Sequence, residues 1–359
     1  MHIIHLVSNG TWGGGEQYVL DLSRALASEG HRIEIISRPV SEVVDKFTAN
    51  GLPPVARMPL RGAIDFLSAV RIASRLRRCE EVIVHVHNFK DAIVAARARA
   101  LSGNDKVRVV LTRHLVKVGR TSAIYRELYS KLDAIIFVSA LARDEFLKSA
   151  PPVAPDKLHV VHNSIVVPPC APVPSDIPHI DAPVIMHHGR ISPEKGLDVL
   201  LDALASLTDL PWHLRIAGEG KAQHVGPLKQ QAVRLGIADR VEWLGFRDDI
   251  HAIIPSATIG VVPSTWREPF GLAVLDYMAH GVPVVTTDNG AQPEYLTSGT
   301  DSLLVPPSDP ESLASALRTL LTDETARRRI ATAGATTFDR TLSYQAFLGR
   351  ILSVYQSIR

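Results

Sequence analysis

The sequence predicts two α/β domains in tandem, each a doubly wound parallel sheet, and three observations carry that expectation. Short apolar runs alternate with longer segments of helical period along the whole chain, the pattern of repeated strand-helix-strand units. A proline-rich stretch interrupts the alternation near its middle; proline lacks the amide donor and has a fixed φ, so it continues neither a helix nor a central strand. Finally, 359 residues divide naturally into two domains of roughly 150 to 180 residues each.

In the first half the strand-like runs are His2–Val7, Ile33–Ser37, Val82–Val86, Val107–Thr112 and Ala134–Val138. Each is short and dominated by Val, Ile and Leu, as strands buried on both faces are. Amphipathic stretches such as Gln17–Ala27 and Ala63–Arg77 separate them, with apolar residues recurring every three to four positions. The first domain is therefore placed at residues 1–165. Residues 166–183, VVPPCAPVPSDIPHIDAP, are the expected linker. The alternation restarts with Val184–His188, Trp212–Ala217, Val241–Leu244, Ile259–Val262, Val284–Thr286 and Leu303–Val305, which sets the second domain at 184–342. The last helical segment, Tyr344–Ile358 within 343–359, is expected to pack back on the first domain. Ligands of such sheets bind beyond the carboxyl ends of the strands, and two sheets facing one another would share a cleft there.

Composition narrows the class. No run of about 18 apolar residues occurs, and His2–Val7 is too short for a secretory core, so a soluble, cytoplasmic protein is expected. The two cysteines, Cys79 and Cys170, lie far apart without C-x-x-C spacing, which argues against a disulfide framework or a thiolate zinc site. Formal net charge is +2, yet residues 1–165 hold 23 Lys and Arg against 16 Asp and Glu, while the remainder holds 16 against 21. The cationic excess points to an anionic partner for the first half, a phosphorylated acceptor or an acidic lipid surface; plain variation of surface charge is the alternative. A nucleic-acid partner is not expected.

Three segments carry the chemistry. After His2–Val7 comes a glycine-rich turn with Gly13, Gly14, Gly15 and Glu16. Backbone without side chains can approach a phosphate or sugar closely, but the spacing is not G-x-G-x-x-G, and ordinary turn chemistry is the alternative. In the second domain Gly189-Arg190-Ile191-Ser192-Pro193-Glu194-Lys195-Gly196 follows a strand and leads into a helix. Two cations at a helix N-terminus make an anion site: arginine chelates two oxygens, lysine adds a point charge, and the helix dipole supports both. Solvated loop cations are the plain alternative.

The third segment is Glu268-Pro269-Phe270-Gly271-Leu272-Ala273-Val274-Leu275-Asp276, just after Ile259–Pro263. With a helix starting near Gly271, eight residues at about 1.5 Å each separate the two acids by roughly 12 Å. That is comparable to the span from sugar to ribose in a nucleotide sugar. Glu268 then suits sugar hydroxyls, the free amides around Phe270 to Leu272 suit phosphate, and Asp276 suits ribose hydroxyls. A helix-start cap and an exposed acid are the plain alternative.

Together with Val86-His87, His114, Val138-Ser139, His162-Asn163, Ala217-Gly218-Glu219-Gly220 and Leu244-Gly245, these pieces resemble a retaining glycosyltransferase of the GT-B fold, glycosyltransferase family 4. The resemblance covers nearly the whole chain. It implies that Arg190 and Lys195 bind the donor diphosphate and Glu268 the transferred sugar. Phe270, Gly271 and Leu272 would add backbone contacts and Asp276 the ribose contact, with Gly13, Gly14, Gly15, Gly189, Gly218, Glu219 and Gly220 also on the donor side. It implies that His114 reaches the donor sugar from the first domain, and that Glu16, His87, Asn88, Ser139 and Asn163 are acceptor-side candidates. The family's E-x7-E signature ends here in Asp276, a carboxylate one methylene shorter, which needs a small shift or a bridging water to reach ribose. Its usual Asn-Gly after the last first-domain strand is Asn163-Ser164.

No metal or other cofactor is expected beside the nucleotide diphosphate sugar, UDP before GDP by family frequency. His85 and His87 share a strand face and suggest a metal pair, but no acid or thiol pattern accompanies them. No D-x-D sits at a strand end, so leaving-group charge falls to Arg190, Lys195 and helix amides. No residue stands out as a nucleophile, and the resemblance favours attack from the leaving-group face with a donor phosphate oxygen taking the acceptor proton. The acceptor is expected to be a saccharide or lipid-linked glycan of a bacterial-type cell surface. Residues 113–131 combine Arg113, Lys117, Arg120, Arg126 and Lys131 with Ile124, Tyr125, Leu128 and Tyr129, resembling an interfacial helix that meets anionic membrane at its inner face; an ordinary amphipathic helix covering the sheet is the alternative. Competing functions are a phosphorylase or sugar-nucleotide epimerase on the same fold, or a noncatalytic nucleotide-sugar-binding subunit. A phosphorylase of that type needs a pyridoxal-phosphate lysine, which the sequence does not single out.

Overall fold

The structure, a computed structural model, describes the backbone of residues 1–359 and every side chain except that of residue 63. The chain divides into two compact units, Met1–His162 with Phe347–Arg359, and Asn163–Ala346.

The first unit holds seven strands: β1 His2–Val7, β2 Arg32–Ser37, β3 Ala56–Arg57, β4 Val82–Val86, β5 Val107–Arg113, β6 Ala134–Phe137 and β7 Leu158–Val160. Their order is β3-β2-β1-β4-β5-β6-β7, all pairs being parallel. β4 and β6 are buried along their full length, which is why they read as unbroken apolar runs. Helices on the two faces, among them Gly14–Ser28, Phe66–Leu76 and Phe89–Ser102, close a core around Ile4, Leu6, Val84, Val109 and Phe137. The five expected strands are present within a residue or so at each end. β3 and β7, not anticipated, are two and three residues long and lie at the sheet's two edges, where half-buried pairing leaves almost no periodic signal. The expected helix over 63–77 is split: a 3₁₀ turn, Gly62–Ile64, precedes Phe66–Leu76, because Asp65 caps the second piece through Ser68 N at 3.0 Å.

The second unit holds β8 Val184–His188, β9 His213–Ala217, β10 Val241–Gly245, β11 Ile259–Val262, β12 Val284–Thr287 and β13 Leu303–Val305. The order is β10-β9-β8-β11-β12-β13, again all parallel, over a core of Ile185, Leu214, Ile216, Ile259 and Val285. The stretch 166–183, expected as a free linker, belongs to this unit. Arg215, 1% exposed, explains part of that. Its guanidinium donates to Glu242 at 2.8 Å, to Ser256 Oγ at 3.1 Å and to the Pro178 carbonyl, so a buried cation holds the proline-rich segment against the sheet.

The last helix is Tyr344–Ser357, and from Phe347 onward it is part of the first unit. Phe347 meets the Tyr18 ring at 5.5 Å, Tyr355 OH lies 2.7 Å from His85 Nδ1, and Arg108 Nε donates to the Ile358 carbonyl at 2.6 Å. In each sheet strand order reverses once, between β1 and β4 and between β8 and β11. Ligand sites of open parallel sheets fall at such reversals, beyond the carboxyl ends.

Candidate active site

At the reversal of the second unit, the loop after β8 meets the loop after β11. Lys195 ends a 3₁₀ turn, Pro193–Lys195, and its Nζ lies 2.5 Å from Glu268 Oε1. Ser264 Oγ donates to the same oxygen at 2.7 Å. Burial by itself would raise the Glu268 carboxyl, but the Lys195 charge and the hydrogen bonds from Lys195 and Ser264 outweigh it, and the net shift is downward. The carboxylate is thus held ionised and aimed. Arg190 is 72% exposed and only 3.6 Å from Glu194, a loose pair that leaves the guanidinium available to a ligand.

Backbone shapes the rest of this half. The loops after β8 and β9 are laced together: Gly189 N donates to the Ala217 carbonyl at 2.9 Å, Ile191 N to Glu219 at 2.7 Å, and Gly218 N to Gly245 at 2.7 Å. Gly218 has φ +156°, and a Cβ there would stand 1.9 Å from the Gly189 carbonyl oxygen. Gly196, at φ +67°, would put a Cβ 2.0 Å from the Pro263 carbonyl. Glycine is required at both positions. Gly218→Ala is expected to destabilise the chain by about 3 kcal/mol in urea unfolding and to abolish its response to nucleotide; a variant of unchanged midpoint would mean the lacing is dispensable. The side chain of Glu219 is exposed, and its carbonyl carries the contact.

The helix Leu272–Ala279 begins at Gly271, which is left-handed at φ +87° and offers no side-chain cap; Val274 N donates to the Gly271 carbonyl at 3.0 Å, and the amides before it face the helix mouth, where an anion is favoured. Phe270 is buried, stacks on Tyr295 at 4.7 Å, and its carbonyl accepts from Tyr295 OH at 2.6 Å. Residues 268–271 precede the helix, so the expected rise of roughly 12 Å between the two acids is helical only beyond Gly271. Asp276 lies on this helix with His188 Nε2 at 3.4 Å and His251 Nε2 at 3.7 Å from its carboxyl oxygens. Burial pushes the Asp276 carboxyl up to about 7 and the imidazoles of His188 and His251 down to about 3 and about 4. Ser264 and His251 do not stand out in the sequence, and His188 reads there only as one of the adjacent pair His187 and His188, with no acid or thiol pattern to make a metal site. Ser264 stands four residues before Glu268 and one after Pro263, a strand-end signal in hindsight, whereas the two histidines meet Asp276 only through packing.

At the reversal of the first unit, a pocket of about 410 Å³ is lined by Ser8, Asn9, Glu16, His87, Asn88 and His114, among others. Glu16 is buried and accepts from Asn9 Nδ2. Asn88 caps the helix Phe89–Ser102 through Asp91 N at 2.9 Å and donates to Ser8 Oγ at 3.2 Å. Behind it His114 Nε2 lies 3.3 Å from His87 Nδ1, and His87 Nε2 lies 3.2 Å from His5 Nδ1, a file of imidazoles in which each nitrogen pair shares one proton. Burial lowers all three, His114 to about 4 and His5 to about 3. His5, His85 and His87 bring their ring nitrogens within 4.8 Å of one another. Both nitrogens of His85 are already engaged, by Tyr355 OH and by Thr112 Oγ1, at 2.7 Å each, so the trio is a hydrogen-bonded cluster.

Several expectations change. Gly14 and Gly15 belong to the first turn of the helix Gly14–Ser28, and Gly13, its N-cap, is extended at φ −162°; of the three, Gly15 lines the pocket. Ser139 is fully buried and accepts from Ala142 N at 3.1 Å as a helix cap. Asn163 falls in the second unit and accepts from Ser164 N at 3.0 Å. The segment 113–131 is not one interfacial helix. Arg113 ends β5 and is buried, the helix is only Ala123–Ser130, and Leu128 and Tyr129 point into the core. Leu115 and Val118 are exposed before it and Ile124 within it, while the strand end takes Arg113 and core packing takes Leu128 and Tyr129 from the face on which the sequence pattern had placed them. Among the described residues no helix is long and apolar enough to cross a membrane.

The family model described as Glycosyltransferase Family 4 matches residues 12–167, and that of Glycosyl transferases group 1 matches residues 182–323. The chain is 26% identical over 360 residues to the phosphatidyl-myo-inositol mannosyltransferase of Mycobacterium leprae, covering 96% of this chain and 93% of that one. It is 30% identical over 177 residues to the lipopolysaccharide core biosynthesis glycosyltransferase LpsE of Rhizobium meliloti, a match spanning 49% of this chain and about half, 51%, of the relative's length. Among solved structures, Anabaena Alr3699/HepE, crystallised with UDP and glucose, superposes with a TM-score of 0.81 over 99% of both chains at 22% identity. The two family matches flank the proline-rich stretch and between them take in His87, His114 and the Lys195–Glu268 pair, so this chain belongs to glycosyltransferase family 4 and has the GT-B fold.

Proposed function

We propose that the chain is a retaining, metal-independent glycosyltransferase that moves a sugar from a UDP-sugar to a saccharide or lipid-linked acceptor in bacterial-type cell-surface glycan synthesis. The observation that carries this reading is the part-buried Lys195–Glu268 pair at 2.5 Å, set at the sheet reversal beside an uncapped helix N-terminus and the exposed, loosely paired guanidinium of Arg190. Glu268 accepts hydroxyls of the transferred sugar; Lys195, Arg190 and the amides after Gly271 take the diphosphate; Asp276 takes the ribose. The donor's anomeric C–O bond to phosphate breaks as the acceptor oxygen bonds on the same face, and the acceptor proton passes to a phosphate oxygen of the departing UDP. The cations meet the charge that develops there, which is the part a divalent ion would otherwise play. His114, Glu16 and Asn88 line the first unit's pocket, which takes the acceptor saccharide. The names of the lipopolysaccharide and phosphatidyl-inositol relatives favour a glycan or lipid-linked acceptor.

Thermal unfolding with UDP, GDP, ADP and dTDP, with and without EDTA, tests the donor site. Ligand at a hundred times its dissociation constant adds about 2.7 kcal/mol of stability. UDP is expected to raise the midpoint independently of EDTA, and Arg190→Ala, an exposed change that leaves folding intact, is expected to remove most of that rise and to lower turnover at least a hundredfold. Proton NMR of the glycoside is expected to show the donor's anomeric configuration. No response to any nucleoside diphosphate would overturn the donor assignment, and an inverted product would overturn the mechanism.

A further inference from the structure

Two arginines in this chain are buried to nine-tenths or more, and they are treated differently. Arg215 is paired with Glu242 and has further acceptors in Ser256 and Pro178. Arg113, 9% exposed at the end of β5, has no carboxylate within ion-pair distance among the described residues. Its guanidinium lies between the rings of Phe89 and Phe146, at 4.6 and 4.8 Å. Nη2 donates to the Lys117 carbonyl at 3.1 Å, while Nε is buried without a partner. Burial lowers its pKa to about 10, an effect that Tyr129 opposes and the Arg120 charge reinforces. A buried cation without a counter-ion is costly, and the cost is offset where a ligand brings the opposite charge.

That ligand has a place to sit. Arg113 lines the first unit's pocket of about 410 Å³, together with Lys117 and Arg120. Arg120 bonds and stacks on Tyr125, and no ion pair to a carboxylate is present for either residue among the described residues. The same pocket offers Ser8, Asn9, Glu16 and Asn88, hydrogen-bonding groups suited to sugar hydroxyls. Glu16 is the one carboxylate among its lining residues, and it is hydrogen-bonded to Asn9. We propose that this pocket recognises an acceptor bearing an anionic group, a phosphate or a sugar carboxylate, with Arg113 as its principal ligand and Lys117 and Arg120 beside it. The proposal rests on the reading of the first unit as the acceptor side. It gives the cationic excess of residues 1–165 a location inside a pocket.

The test compares glucose, glucose 6-phosphate and glucuronate as probes by calorimetric titration of the full chain, in the Arg190→Ala background so that phosphate at the donor site does not contribute. At least one anionic sugar is expected to bind ten times more tightly than glucose or better, phosphate preference pointing to a phosphorylated acceptor and carboxylate preference to a sugar acid. Arg113→Gln is expected to erase the difference, and Arg113→Lys to keep part of it. Lys117→Ala with Arg120→Ala, both exposed positions that cannot unfold the core, is expected to weaken it severalfold. Equal affinity for charged and neutral sugars, or a preference that survives Arg113→Gln, would overturn the proposal and leave Arg113 as an aromatic-stacked structural cation. Stabilisation by UDP, measured in Arg113→Gln with Arg190 intact, is expected to be unchanged. Absence of a UDP response in the unsubstituted chain would overturn the donor assignment and not this one, whereas its loss in Arg113→Gln alone would overturn the placement of Arg113 on the acceptor side.

Discussion

Lys195→Ala is expected to lower turnover at saturating donor by about 10²- to 10³-fold, the scale on which one preorganised group facing developing charge contributes. The same change has a second effect that separates it from a simple loss of charge. Lys195 is 21% exposed and Glu268 7%, so removing the ammonium leaves a mostly buried carboxylate with the Ser264 hydroxyl in place of a counter-ion. Burial then prevails, the Glu268 carboxyl moves upward, and the chain loses on the order of 3 kcal/mol of stability near neutral pH. Urea unfolding checks this, and Lys195→Met combined with Glu268→Gln supplies the control. The double variant is expected to regain most of the stability and none of the activity. A double variant as unstable as the single one would show that the loop, and not the charge pair, sets the stability.

Acid should unfold this protein early. His5, His85 and His187 are at most 1% exposed, and burial lowers each, His5 to about 3 and His187 to about 4. All three are neutral in the folded state at pH 5 to 7, whereas in the unfolded chain they titrate near 6.5. The unfolded state therefore binds more protons below pH 6.5, so the stability these groups support is fully present above that value and falls as pH decreases toward the folded values. Each group loses about 1 kcal/mol between pH 6.5 and 5.5. The two in the first unit together cost about 2 kcal/mol over that interval, a large share of ordinary domain stability. Unfolding midpoints measured at constant ionic strength from pH 8 to 5 are expected to be flat above 7 and to drop steeply below 6.5. A His85→Phe variant, which removes one titrating group from the cluster, should show a shallower drop even if its midpoint at pH 7.5 is lower. A flat profile down to pH 5 would mean that the imidazoles are protonated in the folded state.

The parts legible in the sequence share a physical character. Strands such as Val82–Val86 and Ile259–Val262 are buried on both faces, so they stand out as apolar runs whatever surrounds them. Glycines such as Gly196 and Gly218 mark places where backbone meets backbone, and the Glu268 and Lys195 motifs lie at the ends of recognisable strands. The parts that were not legible depend on neighbours distant in the chain. Arg113 reads as one more surface cation among five, and only the approach of Phe89 and Phe146 shows it to be buried without an acid. The proline-rich stretch reads as a linker, because the sequence does not show that Arg215 reaches the Pro178 carbonyl. Glu268 reads as a helix-mouth acid, and its partner Lys195 is 73 residues away.

The sequence by itself determined the class of fold, two α/β units, and the chemical kinds of group at the ends of their strands, because periodicity, burial on both faces and glycine spacing are properties of adjacent residues. Only the tertiary structure decided which charges are paired and which are not. A side chain's ionisation and availability follow from the dielectric and the partners around it, and those are assembled from strands and helices far apart in the chain.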